Sequence, residues 1–89
     1  MSKDIKDRIR SYIMQAAKIS ALDDKDEIIE KNYLDSLGFI AFGTWLEKEF
    51  GIRMTNEDFT EENFWDLDSI TRFVETKLEN KKSESGNDG

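Results

Sequence analysis

Asp35 and Ser36, within the run Tyr33-Leu-Asp-Ser-Leu-Gly-Phe39, carry the strongest chemical suggestion in this chain. Ser36 stands where a charged loop ends and an apolar pattern of helical spacing begins. A hydroxyl at the start of a helix lies among backbone N–H groups that have no intrahelical acceptor, at the positive end of the helix dipole. An anionic group attached to that oxygen meets a favourable field. The plain alternative for Ser36 is an N-cap, worth about 1 kcal/mol. A second copy of the local pattern occurs at Leu67-Asp-Ser-Ile70. There Asp68 and Ser69 are expected only to favour the first turn of a later helix.

The remaining residues exclude much chemistry. Histidine and cysteine are both absent. The chain therefore lacks the commonest general base and imidazole ligand, and it has no thiolate nucleophile and no disulfide. Neither a Ser-His-Asp hydrolase nor a zinc hydrolase fits. A chain of this kind is expected to carry a reacting group and leave catalysis to others. Charged residues make up 37% of the 89 residues and the net charge is −7. That balance argues against binding a nucleic-acid backbone or inserting into an anionic membrane, and suits basic patches on partner proteins. The acidic stretch Asp23-Asp-Lys-Asp-Glu27 invites a calcium reading, yet it lacks the central glycine and twelfth-position glutamate of an EF-hand loop. No apolar run approaches a membrane span and no secretory signal opens the chain, so a cytoplasmic location is expected.

Three segments position Asp35 and Ser36. Ile5, Ile9, Tyr12, Ile13 and Ala16 recur on one face of a helix over about 2–17, with Ser2 as its expected cap and Asp4 in its first turn. A long loop follows to Asp35, with Ile28, Ile29, Tyr33 and Leu34 expected to pin it to the core. The second helix is expected to run from Ser36, as its cap, to Phe50. Gly51 suits the left-handed residue beyond its end, with Ile52 making the accompanying apolar contact. Thr60-Glu-Glu-Asn is expected to start a short helical turn ending near Phe64. A last helix over about 67–79 is expected behind an Asp66 cap, with Leu67, Ile70, Phe73, Val74 and Leu78 as its stripe. Residues 81–89, KKSESGNDG, read as a disordered polar tail after a domain at 1–80. The sum is an all-α bundle of three main helices and one short one.

Asp35-Ser36-Leu37, opening a helix after a long loop in a small acidic chain, resembles the attachment motif of acyl and peptidyl carrier proteins. The helix end Glu47-Lys-Glu-Phe-Gly-Ile52, and the stretches Glu57-Asp-Phe-Thr-Glu-Glu-Asn-Phe64 and Ile70-Thr-Arg-Phe-Val74, are similar to later elements of that family. The resemblance spans about Ile5 to Leu78. It implies a four-helix carrier-protein bundle, with 4′-phosphopantetheine attached covalently to Ser36. It also implies that a phosphopantetheinyl transferase donates the arm from coenzyme A in the presence of Mg²⁺. Asp35 would help to place the metal and the serine, with Leu37 beside them. Substrates would ride as thioesters, loaded by an adenylating ligase or acyltransferase and visited by downstream biosynthetic enzymes. The protein itself would be no enzyme.

In such carriers the outward face of the second helix receives partners. At about 100° per residue, Leu37, Ala41, Thr44 and Lys48 share that face, with Ile40 and Trp45 at its flanks. Its early part is nearly uncharged, a departure from the acidic face of fatty-acid carriers. The Leu-Asp-Ser-Leu-Gly opening looks closer to peptidyl, aminoacyl or D-alanyl carriers. Leu37, Ala41, Thr44, Trp45 and Lys48 are the expected docking residues. For Trp45 the competing expectation is packing against the long loop. Phe59, Phe64 and Trp65 are expected in the core or, alternatively, around a cargo pocket. A free-standing monomer is expected, since no heptad seam is sustained. The rival readings are a cofactor-free acidic interaction module and a calcium-binding regulator.

Overall fold

In the computed structural model, residues 2–88 are described, with side chains described for residues 3–81. Helix α1 is Ser2–Ala17, α2 is Ser36–Phe50, and α3 is Leu67–Asp88. A 3₁₀ turn, Asn56–Asp58, lies between α2 and α3. The described residues form an all-α bundle of three helices and one short turn.

The apolar periodicities of the three helices converge on one core. Ile9 and Ile13 of α1 meet Phe42 and Leu46 of α2 and Leu67, Ile70 and Val74 of α3, all buried. Ala16 lies outside this core and is exposed. Three residues of the first loop, Leu22, Ile28 and Leu34, are buried in the same core, and Ile29 and Tyr33 pack at its edge. Two backbone bonds tie that loop to the approach of α3. Ile28 N donates to Trp65 O at 3.0 Å, and Leu67 N donates to Asp24 O at 3.1 Å.

Charge fastens the same junction. Lys6 of α1 lies 3.0 Å from Asp24 and 2.6 Å from Asp68, while Lys25 reaches Asp68 at 3.0 Å. Arg10 bonds the Leu22 carbonyl and pairs with Asp24 at 2.5 Å. The Arg10 and Lys6 hydrogen bonds hold the Asp24 carboxyl below the ordinary carboxylate range. The Lys6 and Lys25 bonds do the same for Asp68. Within the acidic loop, Asp24 is paired with two basic partners and Asp26 lies 3.5 Å from Lys31. Among the described residues, no cluster of acidic groups is arranged to hold a metal ion.

One expectation about the elements is corrected, and one element is added. The 3₁₀ turn at Asn56–Asp58 is additional to the elements expected, while Thr60 to Phe64 forms the single turn expected there, with Phe64 N donating to Thr60 O at 3.3 Å. Asp58 Oδ2 accepts from Thr55 N at 2.8 Å, closing the first turn of the 3₁₀ segment. Thr60 Oγ1 takes the Asn63 amide at 3.1 Å, the capping bond that opens this turn. Helix α3 continues to Asp88, more than two turns past the end expected near Glu79. No proline interrupts it, and Lys81 Nζ bonds the Gly51 carbonyl at 2.6 Å, fastening α3 to the end of α2. The side chains of 82–89 lie outside the described residues, as does that of Ser2, the expected α1 cap.

Candidate functional site

The start of α2 is built by Asp35. Its backbone is extended, with φ −86° and ψ −175°, and its side-chain Oδ1 accepts from Gly38 N at 2.7 Å. Phe39 N donates to Asp35 O at 2.8 Å, the first bond of the helical ladder. Asp35 is therefore the N-cap and Ser36 is the first helical residue, which corrects the expectation that Ser36 caps the helix. Both residues are strong cap formers, and the residue with extended backbone takes the role.

This shift frees the serine. Ser36 is exposed, and no described hydrogen bond engages its hydroxyl. Of the N-terminal amides that a helix leaves without intrahelical acceptors, that of Gly38 is taken by the Asp35 side chain. Those of Ser36 and Leu37 have no acceptor among the described residues. Ser69 contrasts with it. There Asp66 is the cap, its Oδ1 accepting from Ser69 N at 2.8 Å, so Ser69 lies inside the first turn of α3 and is partly buried.

Beside Ser36 lies an apolar cleft of about 340 Å³. Phe39 and Ile40 of α2 form one wall, Phe59, Glu61 and Phe64 the other, and Ile29 of the first loop lies at its edge. Phe59 stacks on Phe64 with ring centroids 5.7 Å apart and planes 9° apart. The Phe59 ring also lies against the backbone of α2 at Gly43, where a Cβ would come within 2.6 Å of Cζ. Only glycine allows this approach. Trp65, the third aromatic expected near a pocket, does not line the cleft. Two larger grooves lie elsewhere, one beside Tyr12 and Trp45 and one beside Arg53, Lys77 and Lys81. Ser36 belongs to neither.

The outward face of α2 has the composition read from the sequence. Leu37 and Ile40 are 77% and 61% exposed, and Ala41, Thr44 and Lys48 are exposed with them. Ile40, placed at a flank by the helical wheel, is the second most exposed large apolar residue among the described residues. Its position one turn after Ser36 is the signal that identifies it in sequence. Trp45 is partly buried and stacks on Tyr12 of α1 at 4.5 Å, with Phe50 edge-on at 5.8 Å. It packs against α1, where the sequence suggested the long loop.

A family model described as phosphopantetheine attachment site matches residues 7–74, from within α1 to within α3. The chain belongs to the phosphopantetheine-attachment family. No curated protein matches the sequence. Domains of this family are the attachment point of the 4′-phosphopantetheine prosthetic group, generally carry cargo without catalysing its chemistry, and generally work with phosphopantetheinyl transferases and biosynthetic enzymes. The start of α2 fits that group in this family member. It offers an exposed hydroxyl, two open backbone amides for phosphate oxygens, and an apolar cleft alongside. Among the described residues, no helix is long and apolar enough to cross a membrane.

Proposed function

We propose that this protein is a carrier whose Ser36 holds 4′-phosphopantetheine and presents an acyl or aminoacyl group to partner enzymes. One observation supports this reading above the others. Ser36 is an exposed first helical residue whose cap is already supplied by Asp35, within the span matched by the family. When bound, the arm supplies a terminal thiol, absent from this cysteine-free chain, on which cargo rides as a thioester.

The chain's own part in attachment is to present an oxygen. A bond forms from Ser36 Oγ to the 4′-phosphate phosphorus of coenzyme A, and the pyrophosphate P–O bond breaks, releasing 3′,5′-adenosine bisphosphate. The serine proton passes to a base of the transferase, since this chain has no histidine to accept it. The open amides of Ser36 and Leu37 and the helix dipole favour the resulting phosphodiester. Asp35 plays two parts. It fixes the helix start through Gly38, and its second carboxylate oxygen stays available to a transferase-bound Mg²⁺.

Partner recognition falls to Leu37, Ala41, Thr44 and Lys48, to which we add Ile40. Trp45 supports this face from its flank by holding α2 against α1. The adenylating ligase or acyltransferase and the downstream enzymes meet the same face, the carrier acting as a monomer.

Incubation with coenzyme A, Mg²⁺ and a broad-specificity transferase, followed by intact-mass measurement, is the test. The natural sequence gains one phosphopantetheine, whereas Ser36→Ala gains none and Ser69→Ala gains one. An unmodified natural chain, or a modified Ser36→Ala chain, defeats the proposal. A cofactor-free interaction module gains nothing in any form.

A further inference from the structure

The cleft beside Ser36 carries information about cargo through the sign of its charge. Its walls are apolar and aromatic, from Phe39, Ile40, Phe59 and Phe64. Among the residues that line it, Glu61 is the one that carries a charge, and none is cationic. Phe59 is 40% exposed, so one part of its surface remains open while the rest rests on Gly43 and Phe64. A negative carboxylate next to accessible aromatic surface favours an ammonium group, through direct attraction and through the negative faces of the rings. The same wall repels a carboxylate. Asp35, adjacent to the attachment residue, adds to the negative potential at this end of α2.

The geometry points to an aminoacyl cargo with a free ammonium group and an apolar side chain, its ammonium at Glu61 and its side chain between Ile40 and Phe59. This inference rests on attachment at Ser36 and adds the class of group that is carried. A neutral acyl chain would use the apolar walls and leave Glu61 unpaired. A dicarboxylic acyl group would place like charges together. The cleft discriminates by charge, and the segment holding Glu61 is fixed by its own turn. Phe64 N donates to Glu61 O at 3.2 Å, and the Asn63 side chain donates to Asp58 O at 2.9 Å.

The test uses the full chain labelled with ¹⁵N. A broad-specificity transferase loads it with three hydrolysis-resistant amide analogues of coenzyme A, bearing phenylalanyl, 3-phenylpropanoyl or succinyl groups. Intact mass is read first. If no analogue attaches at Ser36, the carrier reading and this inference fall together. If loading succeeds, amide shifts relative to the unacylated arm report occupancy of the cleft. The phenylalanyl form is expected to shift the amides of Ile40, Phe59, Glu61 and Phe64, with about three- to tenfold greater occupancy than the 3-phenylpropanoyl form. The succinyl form is expected to leave them in place. Glu61→Gln, at an exposed position, should bring the phenylalanyl shifts down to those of 3-phenylpropanoyl. Equal shifts for phenylalanyl and 3-phenylpropanoyl in the natural sequence, silence of the cleft with all three, or phenylalanyl shifts unchanged by Glu61→Gln, would overturn the inference while leaving the carrier role intact.

Discussion

Asp35 combines two properties that substitution can separate. Asp35→Asn keeps a side-chain oxygen for the Gly38 amide and removes the charge. Asp35→Ala removes both. Asparagine and aspartate are nearly equal caps, and alanine costs about 1 kcal/mol. Thermal or urea unfolding should therefore find Asp35→Asn close to the natural sequence and Asp35→Ala less stable by that amount. Transferase loading should slow in both variants if the charge helps to place Mg²⁺; equal loading of Asp35→Asn and the natural sequence would confine Asp35 to a structural role. The sequence announced Asp35-Ser36 as the place where a helix begins, yet it assigned the cap to the wrong member of the pair. Aspartate and serine have the same preference for that position, so composition cannot separate them. The bond from Gly38 N to the Asp35 carboxylate decides between them.

Helix α2 works as an element because its two faces have different duties. Its inward face, Phe42, Gly43 and Leu46, is buried, and the apolar spacing made that face legible beforehand. What spacing could not supply was the partner of Gly43. Phe59 comes from 16 positions later in the chain, and its seat on the glycine backbone is a tertiary fact. Gly43→Ala puts a methyl group within 2.6 Å of the ring, and overpacking of this kind costs about 1–3 kcal/mol. Chemical denaturation should register that loss, with the Phe59 resonances displaced. Phe59→Leu in the same chain should recover part of it. At the other end of α2, Gly51 has φ 65°, and Gly51→Ala should destabilise by about 1 kcal/mol through the left-handed backbone. The turn at Thr60 was legible from its helix-start composition, whereas the 3₁₀ turn before it was missed, because Thr55 and Asp58 close its first turn by a bond that residue types only hint at. The extent of α3 was under-read for a different reason. A polar, glycine-containing end carries no apolar stripe, and Lys81 on the Gly51 carbonyl is a contact with a distant segment.

At the scale of the whole molecule, the acidic surplus and the bundle are held together by the junction of Lys6, Arg10, Asp24, Lys25 and Asp68. Carboxyls held below their ordinary value stabilise the fold above the unfolded-state value of about 3.9, and that contribution is lost as pH falls through the folded-state value. Stability should fall on acidification below about pH 4, and the fall should be shallower in Asp24→Asn and Asp68→Asn. The variants should be less stable than the natural sequence at pH 7 and converge with it in strong acid. A melting series across pH checks both the sign and the window. Despite a net charge of −7, the outward face of α2 from Leu37 to Thr44 is uncharged. Partner affinity there should change by less than about threefold between about 0.05 and 0.5 M salt, far less than for a charge-steered contact. Leu37→Asp or Ile40→Asp should weaken it at least tenfold in a transferase titration, the loss expected on placing a charge in an apolar contact. Because Asp35 alone secures the start of α2, the hydroxyl next to it has no share in keeping the bundle folded. Ser36→Ala should then melt at nearly the same temperature as the natural sequence, whereas a phosphodiester on Ser36, drawn to the open amides and the helix dipole, should raise the melting temperature slightly.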